Sequence, residues 1–246
     1  MVTTMALQVG GDLQRWGLQS RRSGSVCTYH HSQMKKATQR GGVSKRLVER
    51  LIEAFDAMDE KGIQPTMPLP VITGEREVVT MSWGFRRSFR RKDGKGKTAA
   101  KPVVNAKCEK MEEPMWQDAY HHRRCIIPVS DFYEWTYPGG VMKTHRFHMG
   151  GDFFFVAGLW EESPEFGLCH TMLTTAPNAE VAATGHDRCL VALLDGEIDP
   201  WLNGETLTDF HRPDGLFQVE SGVPNPRGRK GAGMPKLNPP VQGELF

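Results

Sequence analysis

From Ser44 the chain repeats apolar positions at helical spacing: SKRLVERLIEAFDAMDEKG sets Leu47, Val48, Leu51, Ile52, Phe55 and Met58 on one face. Ser44 is placed to cap the first turn and Gly62 stands beyond the last, so a helix is predicted within 44–62. Beyond it the period shortens. PLPVI, VVTMSW, KPVVNA, RRCIIPV, FYEW, FFFVAGLW, LCHTMLTT and RCLVALL are apolar runs of strand length divided by Gly and Pro. Stretches 112–122, 176–184 and 197–203 read as short helices, the first with acidic residues in its opening turn. The gaps between strands seldom hold a full crossover helix, so the pattern predicts one α+β domain built on a mostly antiparallel sheet.

Residues 1–25 lack apolar periodicity and end in RRSGS, which reads as a leader or extension ahead of a domain over 26–225. Residues 226–246, rich in Pro, Gly and Lys, are expected to form a flexible tail. At 246 residues, 39% apolar and 24% charged, the composition is that of a soluble globular protein. No apolar run approaches the ~18 residues that would span a bilayer, and the opening lacks the apolar stretch of a signal peptide. A cytoplasmic protein with no membrane partner is therefore expected. Five cysteines with no CxxC pair argue against a disulfide framework and a zinc ribbon.

The formal net charge of +2 conceals a local concentration in FRRSFRRKDGKGKTAAK. There Arg86, Arg87, Arg90, Arg91, Lys92, Lys95, Lys97 and Lys101 face only Asp93. Such a segment attracts phosphate, although charge blocks also serve simply as solvated surface.

Four polar residues sit oddly among apolar neighbours. Asn105 ends VVN, Glu134 lies inside FYEW, His186 opens GHDR, and Cys27 follows a Gly/Ser turn in GSVCTYHH. A carboxylate desolvated by Tyr133 and Trp135 would have a raised pKa suited to proton transfer. Strand alternation alone gives a plainer picture, with Phe132 and Glu134 on one side and Tyr133 and Trp135 on the other. Taken singly, Glu134 then reads as a surface residue and His186 as a structural histidine.

The order IQPTMPLPVI, MSWGF, VVNAKCE, RRCIIPVSDFYEW, FFFVAGLWE, TMLTTAPN and GHDR resembles the SOS-response-associated peptidase (SRAP) family of abasic-site-capturing proteins. The resemblance covers roughly residues 26–225. It implies a twisted, barrel-like, mostly antiparallel sheet with flanking helices and a groove facing single-stranded DNA. It also implies an active cysteine at the mature N-terminus, a place that only Cys27 can fill. Cys27 cannot offer a free α-amine while Val26 is attached to it. Two expectations follow: either Val26 marks an internal GTG start and residues 1–25 are misassigned, or the protein removes its own leader as the family is credited with doing.

By the same resemblance, the freed amine and thiol of Cys27 condense with the aldehyde of a ring-opened abasic site to give a thiazolidine cross-link. An α-amine, with a pKa of about 8 against about 10.4 for lysine, holds on the order of a hundredfold more free base at neutral pH. Asn105 would orient the amine or the sugar, Glu134 would shuttle protons, and His186 would assist ring opening. Trp83, Arg124, Lys107 and Arg188 would line the DNA groove by stacking and charge, beside Arg86, Arg87, Arg90 and Arg91 of the basic segment. No cofactor and no metal is expected, and a monomer is.

Departures from the family pattern are Lys107 in place of arginine, Leu190 in HDRCL in place of proline, and the absence of a proline after MSWGF. The terminal QGELF resembles the Gln-x-x-Leu-Phe peptide that docks on the bacterial sliding clamp, with Gln242, Leu245 and Phe246 as its contacts. Rival readings are a non-catalytic single-strand-binding module with an unreactive Cys27, a zinc site from Cys27-x-x-His30 and His122-x-x-Cys125, and a Cys/His hydrolase acting on outside peptides.

Overall fold

The structure is a computed structural model that describes residues 26–28, 42–57, 65–91, 93–150 and 153–226. Its first half holds β1 (Val26–Thr28), α1 (Lys45–Asp56), β2 (Pro68–Thr73), β3 (Val78–Trp83), β4 (Phe85–Arg87), β5 (Lys101–Val103) and β6 (Asn105–Lys107). The second half adds α2 (Gln117–His122), β7 (Arg124–Val129), β8 (Asp131–Thr136), β9 (Lys143–His148), β10 (Phe154–Ser163) and β11 (Gly167–Thr175). It ends with α3 (Ala179–Ala182), β12 (Cys189–Leu190), α4 (Ile198–Leu202) and β13 (Gln218–Ser221).

Strands β10, β7, β2, β3 and β11 follow in that order, and β10 pairs back onto β11, which closes a barrel of five strands. Its pairings are antiparallel except β3 with β11; β6 continues parallel along β11, and β12 joins it antiparallel. The predicted α+β class and barrel-like, mostly antiparallel sheet are therefore present. Closure removes the barrel's edges and lets strands such as β7, buried along its whole length, be apolar on both faces. One glycine is required by this closeness. A Cβ on Gly158 would collide with the Ile127 side chain and stand 2.9 Å from the Thr171 carbonyl and 3.0 Å from Cys125 Sγ.

A second sheet runs β1, β8, β9, β13, with Phe132 stacked on Phe147 at 4.6 Å between ring centres. Strands β4 and β5 form a separate two-stranded arm, prolonged by a bridge between Arg90 and Lys97. Helix α1 buries Leu47, Val48, Leu51 and Phe55, each worth about 2 kcal/mol, and this tertiary burial is what sustains so short a helix. Ser44 caps it as expected, accepting from the Leu47 amide.

Several elements differ from expectation. The helix expected within 44–62 is observed over Lys45–Asp56; Met58 and Gly62 lie outside the described residues. KPVVNA divides at Val104, whose carbonyl accepts from the Met172 amide and the Trp83 indole, so that β5 and β6 serve different sheets. The helix expected over 112–122 contracts to α2, after a 3-10 turn at Cys108–Lys110. Strands β4, β9 and β13 are additions, because FRR, KTHRFH and QVES are too polar to show an apolar run. Residues 1–25, His30, Lys92 and the terminal Gln242, Leu245 and Phe246 lie outside the described residues. Among the described residues no helix is long and apolar enough to cross a membrane.

Candidate functional site

Cys27 lies opposite Phe132 in the β1–β8 pair, so its side chain shares a face of the second sheet with Phe132 and Glu134. That face meets the barrel. The Cys27 Sγ–H points at Met172 Sδ of β11 at 3.7 Å, and Met172 in turn registers with Asn105 of β6. The seam between the two sheets thus gathers Cys27, Glu134 and Asn105 from three strands far apart in sequence.

His186 comes from the turn after α3. Its Nδ1 bonds the Arg188 carbonyl at 2.9 Å, which turns Nε2 toward Glu134 Oε2 at 3.1 Å. Burial pulls the imidazole pKa down, but the Glu134 hydrogen bond and charge, the Arg188 carbonyl and Asp187 outweigh it and push the value up to about 9. At neutral pH His186 is an imidazolium and a proton donor. For Cys27 burial comes first, then the Glu134 and Asp131 carboxylates, and all three push the thiol pKa far above its usual range. With only 1% of its surface exposed, Cys27 is a neutral thiol in this conformation.

The four candidates from strand and turn therefore fall around one seam. The predicted DNA-facing residues divide. Arg90 and Arg91 are exposed on the β4–β5 arm, as are Lys95, Lys97 and Lys101, while Arg86 lies over the Phe166 ring at 5.2 Å. Lys107 is exposed at the end of β6. Arg87 is engaged by Glu161 through two bonds of 2.6 Å, and Arg188 by Glu109 at 2.8 and 2.9 Å, so neither guanidinium is free to take a phosphate without exchanging partners.

Two expectations are corrected. Trp83 has no exposed surface, and its indole N–H donates to the Val104 carbonyl at 3.0 Å; it holds the barrel to β6 and offers no face to a base. Arg124 is 5% exposed, lies between the Tyr120 and Trp201 rings at 4.4 Å from each centre, and donates to the Tyr120 and Glu205 carbonyls. It fastens α2 and α4 to β7 and is no groove residue. As for zinc, Cys125 has no exposed surface on β7, and no cluster of three metal-binding side chains occurs among the described residues. One residue went unnoticed in the sequence: His145 of β9, directly across from Glu134. Its signal was the Pro-Gly-Gly turn between DFYEWT and KTHRFH, which marks a hairpin and hence a partner strand for Glu134.

The family profile described as SOS response associated peptidase (SRAP) matches residues 26–220. The chain belongs to the SRAP family. It is 34% identical over 108 residues to the abasic site processing protein YoqW of Bacillus subtilis, covering 41% of this chain and 48% of that protein. It is 32% identical over 107 residues to YobE of the same organism, also an abasic site processing protein, covering 41% and 49%. The SRAP chain thus spans about half the length of the curated relatives it matches. Among solved structures, a Bacteroides thetaiotaomicron protein superposes with a TM-score of 0.57 at 18% identity, over 75% of this chain and 89% of its own. A Bordetella bronchiseptica protein gives 0.55 at 20% identity, over 81% and 99%. At such identities the likeness is one of fold alone.

Proposed function

We propose that this protein captures abasic sites in single-stranded DNA by forming a thiazolidine with Cys27, after the peptide bond before Cys27 has been removed. The observation that carries the proposal is the buried Glu134–His186 pair beside the Cys27 thiol, which supplies a carboxylate base and an imidazolium acid within one seam. Family membership and the names of the Bacillus relatives support the same substrate class.

The chemistry balances with these groups alone. The Cys27 amine adds to the aldehyde carbon and passes one proton to its oxygen, and His186 protonates the departing hydroxyl, so that water leaves and a protonated imine remains. The Cys27 Sγ then adds to the imine carbon while its proton passes to Glu134 and on to His186, which regains its charge. One water is lost overall. For leader removal the same pair would act in series, Glu134 taking a proton from water as it attacks the Val26 carbonyl and His186 protonating the departing Cys27 amine. Asn105, registered with Met172 beneath the thiol, would orient the amine or sugar.

An oligonucleotide carrying one abasic site, incubated with protein and then denatured, tests this. A covalent product of the summed mass less one water, absent for Cys27→Ala, is expected; an equal yield from Cys27→Ala removes the proposal. A second reading, a non-covalent single-strand binder, is favoured by the burial and neutrality of the Cys27 thiol. It predicts DNA binding without any such product. Self-processing is read from the intact mass of the native protein: a chain that cross-links DNA while the Val26–Cys27 bond is unbroken contradicts the amine's role.

A further inference from the structure

His145 has no part in the chemistry above, yet it occupies the same face. It is 2% exposed, and both of its ring nitrogens meet hydroxyls: Nε2 lies 2.7 Å from Thr136 Oγ1 and Nδ1 lies 2.8 Å from Ser221 Oγ. A neutral imidazole has one donating and one accepting nitrogen, whereas a hydroxyl does both, so the ring joins the two hydroxyls in either tautomer. The two ends of this chain of bonds differ. Ser221 is exposed on β13, while Thr136 is half-buried on β8, two residues from Glu134 and on the same face. The Thr136 methyl is also the nearest group to Gly185, standing 4.0 Å from where a Cβ would project there, immediately before His186.

The groups facing His145 are Glu134 and Thr136 from β8, Ser221 from β13, Lys143 from its own strand and His186 from the turn after α3. Burial first, then the Lys143 and His186 charges, hold its pKa below the usual histidine value, so the ring is neutral where His186 is charged. A neutral ring between two hydroxyls is a competent conductor of protons. The Glu134–His186 pair gains from one: its side chains are only 5% and 7% exposed, and between the loss of water and ring closure His186 stands without the proton it gave up.

We propose that Ser221, His145 and Thr136 form a proton relay between solvent and the Glu134–His186 pair; the proposal rests on the acid–base role given to that pair above. With the ring protonated on Nε2, the Ser221 hydroxyl passes a proton to Nδ1 while Nε2 releases its own to Thr136 Oγ1. The Thr136 proton moves on toward the pair and water reprotonates Ser221, which leaves the ring protonated on Nδ1; the proton that the thiol later releases returns along the same bonds and restores the first tautomer. Each passage moves one proton, and no charge stays on the ring.

The test uses the full chain with His145→Gln, whose amide can bond both hydroxyls but cannot exchange protons through a ring, and Ser221→Ala at an exposed position. The relay predicts that His145→Gln slows single-turnover capture about tenfold at neutral pH, with a shifted pH–rate profile, unchanged DNA affinity and unchanged final yield. Ser221→Ala should slow it in the same direction by a smaller factor. It also predicts that 15N spectra of the DNA-free protein show His145 exchanging between two neutral tautomers, perturbed by Glu134→Gln. Wild-type rates for both variants from about pH 6 to 9, or a single fixed tautomer, would overturn the relay. Should His145→Gln fail to fold, Ser221→Ala and the spectra decide. Should the wild-type protein capture no abasic site, the proposed function falls, while the tautomer spectra still decide the relay.

Discussion

Glu134 Oε2 stands 3.1 Å from His186 Nε2, with both side chains almost wholly withdrawn from water. A histidine whose pKa rises on folding from about 6.5 to about 9 stabilises the fold fully below about pH 6.5 and loses that contribution as pH rises through 9. His170 acts in the opposite sense: burial lowers its pKa to about 3, so its contribution is present above about pH 6.5 and lost as pH falls toward 3. Thermal unfolding should therefore show greatest stability near neutrality, with a loss of up to about 3 kcal/mol on the alkaline side. Glu134→Gln should flatten that alkaline limb and leave the acid limb in place.

Four of the five cysteines are buried, and Cys108 alone is half-buried. A thiol reagent of aromatic disulfide type at mildly alkaline pH should titrate Cys108 first. Cys27, its thiol held neutral by burial and by Glu134 and Asp131, should react at least about tenfold more slowly in the chain that retains Val26. Mass mapping of the labelled peptides gives the order directly, and rapid labelling of Cys27 would contradict the burial described.

The β4–β5 arm carries a cluster of exposed cations. Arg90→Ala with Arg91→Ala should weaken single-stranded DNA binding and lower the slope of log affinity against log salt by about 1. Arg87→Ala should instead act mainly on stability, since it leaves Glu161 without its bidentate partner. Fluorescence anisotropy across salt concentrations, beside urea unfolding, separates the two outcomes.

Arg124→Ala should cost about 3 kcal/mol in urea unfolding, because it leaves the Tyr120 and Glu205 carbonyls short of a donor and opens a gap between two rings. DNA affinity per folded molecule should not change. A large loss of affinity with unaltered stability would return Arg124 to the groove.

Much of this fold is legible in the sequence. Apolar runs mark β2, β3, β7, β10 and β11, the strands that close the barrel; β2 and β7, covered on both faces, need no polar alternation. The four candidate residues stand out only in combination, since alternation alone puts Glu134 at a surface. It does face away from Tyr133 and Trp135, as alternation requires; the second sheet's packing against the barrel is what buries it. Trp83 and Arg124 misled because an aromatic ring and a guanidinium serve a nucleic acid and a protein core equally well, and only burial tells them apart. His145 stayed hidden because KTHRFH is polar on both sides, with Thr144 and His145 buried on opposite faces of β9.

The contact of Cys27 with Met172 means that the floor beneath this thiol, the proposed nucleophile, belongs to a different sheet from the thiol itself. Met172 is paired in turn with Gly158, where no larger residue fits. Drift in residues that no substrate ever meets can thereby tilt or lift the sulfur. Variation in the exposure of that thiol among descendants of this chain should consequently be written as often in the small and sulfur-bearing residues of the barrel as in the strand that carries it.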